Sequence, residues 1–147
     1  MMRRPALEPT LKGRALRLLS QREHSRLELE RKLAAHESEP GQLTRVLDEL
    51  QARGFISDER VVESVIHRRA AKIGTARVKQ ELQAKGLTGE AVADALDQLR
   101  CTELERAREV WARKFGEPAA DPQNKARQIR FLMSRGFAAE VVRKIVP

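Results

Sequence analysis

The chain has 147 residues, 34% of them charged and 41% apolar, and carries a formal charge of +8. That length fits one ordinary domain or a short array of small units, and the apolar share fits a chain that folds. Aromatic residues make up only 3%, with no Tyr, which argues against an aromatic-rich β-sandwich and against a sheet that stacks bases on its rings. No apolar run approaches ~18 residues, so no membrane-spanning helix is expected. The opening stretch from Met1 to Pro9 has basic residues but no apolar segment behind them, and it does not read as a secretory signal. A single cysteine, Cys101, makes no intramolecular disulfide, and the expected compartment is the cytoplasm.

The apolar spacing is helical almost throughout and nowhere alternates as in a half-buried strand. Leu11, Ala15, Leu18 and Leu19 begin the pattern, and Leu43, Val46, Leu47 and Leu50 repeat it at i, i+3, i+4 and i+7. Ala91, Val92, Ala95, Leu96 and Leu99 form a further stripe, and Leu104, Ala107, Trp111 and Phe115 another. The spacing predicts nine helices, near 11–22, 25–36, 42–53, 58–72, 75–85, 89–100, 103–115, 122–135 and 138–146. Ser25 with Glu28 reads as a capping box, and Thr102 with Glu105 as a second. Pro40-Gly41 separates two helices, Gly116 with Pro118 ends another, and Asp121-Pro122 opens the next.

One pattern recurs: Leu50-Gln51-Ala52-Arg53-Gly54-Phe55, Leu82-Gln83-Ala84-Lys85-Gly86-Leu87 and Leu132-Met133-Ser134-Arg135-Gly136-Phe137. Each is a helix stop, with a left-handed glycine, an apolar residue expected to fold back on the last turn, and a base at the negative end of the helix dipole. The recurrence indicates duplication of a three-helix unit. A unit this small gains stability by stacking on neighbours. The expected organisation is a flexible tail over 1–10 and three-helix repeats over 11–56, 57–100 and 101–147.

The positive charge attracts polyanions and gathers in three windows free of acidic residues. These hold Lys12, Arg14, Arg17 and Arg22; then Arg68, Arg69, Lys72, Arg77 and Lys79; then Lys125, Arg127, Arg130 and Arg135. For any one window, a solvated helix face is an equally good account. Catalytic groupings are missing. There are three histidines, Cys101 has no second ligand at metal spacing, and no glycine-rich phosphate loop occurs. Cys101 is expected as a small buried or inter-helix residue, and Trp111 as core.

Four stretches resemble one family. Ser25-Arg26-Leu27-Glu28-Leu29-Glu30-Arg31-Lys32-Leu33 resembles the S-x-x-E-L-x-x-K-L opening of the RecX regulatory proteins, and Gly54-Phe55-Ile56-Ser57-Asp58-Glu59-Arg60 their G-[FY]-[IL]-[DS]-D-x-R. The segment from Gly74 to Leu87 is similar to G-x-x-[RK]-[IV]-x-x-E-L-x-x-K-G-[IL], and Phe131 to Phe137 to F-L-x-x-R-G-[FY]. Each motif alone is helix-cap grammar, and the four in order are specific. The chain departs from the family at Arg68-Arg69, where one arginine is shifted, and at Val61 and Val62, where an aromatic is common.

The resemblance implies an all-α fold of nine helices in three tandem three-helix repeats, elongated and curved. It implies a non-enzymatic regulator that binds RecA nucleoprotein filaments and restrains RecA's strand exchange, ATPase and coprotease activities in DNA repair. The expected contact residues are Arg68, Arg69, Lys72, Arg77, Lys79 and Lys85 in the middle repeat and Lys125, Arg127, Arg130 and Arg135 in the third. The expected partners are the RecA filament and DNA, single-stranded first and double-stranded second. The protein is expected to act as a monomer, away from membranes, with no metal or cofactor. The competing reading is a DNA-binding helical module that acts without RecA.

Overall fold

The computed structural model describes residues 8–147; residues 1–7, most of the expected flexible tail, lie outside them. The described residues are all helix, turn and loop, in eight α-helices and one 3-10 turn. In chain order these are α1 (Leu11–Gln21), α2 (Arg26–Leu33) with the 3-10 turn Ala34–His36, α3 (Gln42–Ala52), α4 (Asp58–Arg69), α5 (Thr75–Ala84), α6 (Glu90–Lys114), α7 (Pro122–Ser134) and α8 (Ala139–Ile145). The chain divides into two compact units after Val61.

The first unit packs α1, α2 and α3 around Leu11, Ala15, Leu29, Leu33, Leu43, Leu47, Leu50 and Ile56. Its helices start where the sequence expects. Thr10 Oγ1 accepts from the Gly13 amide at 3.0 Å. Ser25 and Glu28 complete the capping box in both directions.

The second unit buries Val65, Ile73, Val78, Leu82, Leu87, Val92, Leu96 and Leu99 along α4, α5 and the first half of α6. Ala107, Val110, Leu132, Phe137 and Val142 form a core between the second half of α6, α7 and α8. Trp111 is half-buried against this core, and its indole N–H donates to Gln128 Oε1 at 3.0 Å. Asp121 caps α7 by accepting from the Asn124 amide at 2.8 Å.

All three recurring glycine stops close in the same way. The residue after the glycine donates back to the apolar residue that opens the pattern: Phe55 to Leu50 O at 2.9 Å, Leu87 to Leu82 O at 3.0 Å and Phe137 to Leu132 O at 3.3 Å. Gly54, Gly86 and Gly136 sit at φ 82°, 75° and 86°, where a Cβ is penalised. The apolar residue folds back in two of the three. Leu87 and Phe137 are each 2% exposed, whereas Phe55 is 45% exposed and the next residue, Ile56, takes the core position.

Two expectations need correction. The helices expected at 89–100 and 103–115 are one helix, α6, of 25 residues. Neither glycine nor proline interrupts the chain between Arg100 and Glu103, and Thr102 does not cap. Its hydroxyl instead donates to Leu99 O one turn back, a bond that leaves the helix intact. The count is therefore eight helices, not nine. Cys101 is exposed, because on the continuous helix it points away from the buried Leu99 and Glu103.

Candidate functional site

The second unit brings three helix C-termini together. Lys72 follows the end of α4, Arg113 and Lys114 form the last turn of α6, and Arg135 is the C-cap of α7. With Ala71, Val110 and Phe131 these four cations line a cavity of ≈250 Å³, and no carboxylate lines it.

Unpaired carbonyls at the helix ends explain why the cations gather there. Arg113 donates to Ala71 O at 2.8 Å. Arg77 donates to Ser134 O at 2.7 Å, and the Gly74 amide donates to Arg135 O at 2.7 Å. Two cations stand over the Phe131 ring, Arg135 at 5.0 Å and Lys114 at 5.5 Å from its centroid. Phe115 meets the same ring edge-on at 5.4 Å and holds it in place. Three helix ends contribute roughly half a negative charge each. Four full positive charges exceed that, so the groove is net positive and accessible from solvent.

The segment carrying Lys72 is tied down by groups on α6. Arg106 donates to Ala70 O at 2.8 Å, Ile73 O at 2.9 Å, Leu99 O at 3.0 Å and Thr75 Oγ1 at 3.2 Å. Burial lowers the Arg106 pKa from its ordinary value, and the neighbouring Glu103 opposes that shift. Glu103 is 5% exposed and accepts from the Thr75 amide at 2.7 Å and the Ala138 amide at 3.5 Å. Gly74 and Ala138, the N-cap residues of α5 and α8, offer no side-chain cap. The Glu103 carboxylate fills that role for both helices.

The expected contact residues divide between several places. Lys72 and Arg135 line the groove, and Arg77 borders it through Ser134. Arg69 is bound to Glu81, with its Nη2 2.9 Å from Oε1. Arg68 is exposed near the end of α4, its Nε donating to Ser64 O at 3.3 Å. Lys79 lines a separate cavity that also holds Asp97 and Arg100. Lys85 is the half-buried C-cap of α5. Lys125, Arg127 and Arg130 are exposed on α7 outside the groove, with Arg127 one turn ahead of Phe131. Arg113 and Lys114 stand outside the three windows, since Glu109 and Glu117 confine them to a short acid-free stretch of two bases. The signal that finds them is their place in the last turn of a helix, beside other helix ends.

Among the described residues no group of three or more His, Cys, Asp or Glu side chains is placed to hold a metal ion, and no helix is long and apolar enough to cross a membrane. Fold and groove together define a basic, all-helical protein assembled from three-helix domains. Family models described as the first, second and third three-helix domains of RecX match residues 12–50, 57–96 and 102–146. The chain belongs to the RecX family of regulatory proteins. It is 59% identical over 143 residues to the regulatory protein RecX of Leptothrix cholodnii, covering 97% of this chain and 90% of that one. It is 46% identical over 137 residues to that of Ralstonia nicotianae, covering 93% and 86%. The crystal structure of RecX from Lactobacillus salivarius has the same fold, with a TM-score of 0.72 at 21% identity over 92% of this chain and 91% of that one.

Proposed function

We propose that this protein binds RecA nucleoprotein filaments and restrains RecA's recombinase, ATPase and coprotease activities during DNA repair, without catalysing a reaction itself. Membership of the RecX family supports the partner. The observation that carries the contact is the four-cation groove of Lys72, Arg113, Lys114 and Arg135 around Phe131, with no carboxylate in its lining. Such a groove suits phosphate oxygens of filament-bound DNA, single-stranded before double-stranded, because the ring and the Arg135 plane add a stacking surface. Arg77, Arg127 and Arg130 extend the contact, with Arg68, Lys79, Lys85 and Lys125 as outlying charges, while Arg69 is committed to Glu81. The protein acts as a monomer in the cytoplasm and needs no cofactor. Contact through several domains of one chain gives avidity for a filament over a free RecA protomer. Occupying the filament in this way competes with duplex entry or with filament growth.

The test is RecA's single-strand-dependent ATP hydrolysis with this protein titrated in. A fall in rate well below one copy per RecA supports action on the filament as a unit. No change, together with tight and steeply salt-dependent binding to bare DNA, favours the DNA-binding module that acts without RecA.

A further inference from the structure

The first unit has a groove of its own, and its lining differs from the one around Phe131. It lies between α1 and the end of α2, with a cavity of ≈300 Å³. Arg14, Arg17 and Lys32 line it, and Pro9, Leu18 and Leu33 form its apolar part. Among the described residues no Asp or Glu lines it, and His36 is part of the lining. Arg14 and Arg17 make no ion pair among the described residues. Among the described residues Lys32 meets a neutral partner, His24 Nε2 at 3.1 Å, and no carboxylate. Three cations are thus held beside an aliphatic surface with no carboxylate to offset them.

We propose that this groove binds an acidic peptide segment that presents an apolar side chain. The carboxylates pair with Arg14, Arg17 and Lys32, and the apolar side chain covers Leu18 and Pro9, beside the buried Leu33. Charge complementarity selects an anionic partner, and the lining selects among anions. The described lining residues include no Phe, Tyr or Trp and one imidazole, His36, so the lining is aliphatic and cationic rather than a run of rings on which successive bases stack. An aliphatic surface beside three cations is the complement of an amphipathic acidic segment. Its volume sits at the small end of the range for ligand pockets, which fits one anchoring side chain rather than a buried cofactor. This site is independent of the Phe131 groove, and either assignment stands if the other fails.

The probe is a fluorescein-labelled peptide of repeated Glu-Glu-Leu, with a Gln-Gln-Leu peptide and an oligothymidylate as controls. Anisotropy with the full chain is expected to show the acidic peptide binding about tenfold more tightly than its Gln counterpart, ~1.4 kcal/mol. The double variant Arg14→Glu/Arg17→Glu, checked for folding by circular dichroism, is expected to lose that preference. A charge-matched control on α8, Arg143→Glu/Lys144→Glu, is expected to keep it. Methyl spectra of the unsubstituted protein supply a second readout, in which the Leu18 and Leu33 signals shift on adding peptide. Equal binding of both peptides, equal losses in the two variants, or shifts confined to residues around Phe131 would overturn the proposal. So would oligothymidylate displacing the peptide and shifting the same two leucines, which would make the occupant a nucleic acid.

Discussion

Gly74 and Gly136 meet backbone to backbone. A Cβ on Gly74 would overlap the Gly136 carbonyl, and the Gly74 amide is already bonded to the preceding residue at Arg135 O, 2.7 Å away. The glycine is needed for space rather than for its dihedral angles, since φ at Gly74 is an ordinary −77°. Gly54 is the opposite case, with φ at 82° and nothing within 4 Å of an added Cβ. Gly54→Ala is therefore expected to cost about 1–2 kcal/mol, the left-handed penalty alone. Gly74→Ala must move two chain segments apart and is expected to cost about 3 kcal/mol or more. Urea midpoints for the two variants order these costs, and the reverse order would refute the steric account.

Glu103 offers a second stability test. Replacing it by Ala leaves the Thr75 amide, and to a lesser degree the Ala138 amide, without an acceptor beside the half-buried Arg106. The expected loss is about 3 kcal/mol. Glu103→Gln turns one carboxylate oxygen into an NH2 that faces an N–H donor, so it recovers only part of the loss. Chemical denaturation followed by circular dichroism is the check, and a loss under ~1 kcal/mol in Glu103→Ala would remove the double-cap role.

His24 makes the first unit sensitive to acid. Its ring is 1% exposed, Nδ1 lies 3.0 Å from Arg22 O, and Nε2 lies 3.1 Å from the Lys32 ammonium. A carbonyl only accepts and an ammonium only donates, so the ring is neutral with its proton on Nδ1. Burial, with Arg22 and Lys32 nearby, lowers its pKa from 6.5. The unfolded chain then binds the proton more readily than the folded one. The stability this provides is complete above 6.5 and is lost as pH falls from there toward the folded value. Urea midpoints at neutral and mildly acidic pH are expected to separate in the unsubstituted protein and to converge in His24→Gln.

Charge reversal separates the groove from its surroundings. Arg113→Glu/Lys114→Glu removes two cations from the Phe131 groove and is expected to weaken binding to single-stranded DNA or to the RecA filament by roughly tenfold or more at low salt. The slope of log affinity against log salt should fall by one to two. Arg69→Gln breaks a pair with Glu81 that is one third exposed and is expected to cost ~0.5–1 kcal/mol of stability with little change in binding. Equal binding losses in both variants would mean that diffuse charge, rather than the groove, makes the contact.

Local chemistry was legible in the sequence, and long-range chemistry was not. The caps at Ser25 and Asp121 and the three glycine stops each depend on neighbours within a turn or two, so composition and spacing sufficed. Thr102 shows where that grammar fails. A threonine followed three residues later by glutamate opens a helix only where the preceding residues leave the helical path, and nothing before Thr102 makes them leave it. The groove depends on Lys72, Lys114 and Arg135 meeting across separate helices, which no local pattern encodes. Long acid-free windows bring Lys72 and Arg135 into view but pass over Arg113 and Lys114, whose acid-free stretch between Glu109 and Glu117 is short. They also overstated Arg69, whose partner Glu81 lies 12 residues away.

The unbroken α6 has a consequence for how such a chain can change over time. The family models for the second and third domains end at residue 96 and begin at residue 102, so the junction between them falls inside a regular helix. One residue inserted there would turn everything beyond it by about 100° and slide it 1.5 Å. Glu103 and Arg106 would swing off the groups they hold, and the ring of Phe131 would lose its place beside Lys72. Lengthening at this joint is tolerated only near whole turns, so the two domains are geared together. A substitution on either side disturbs its own contacts, while an insertion must keep step.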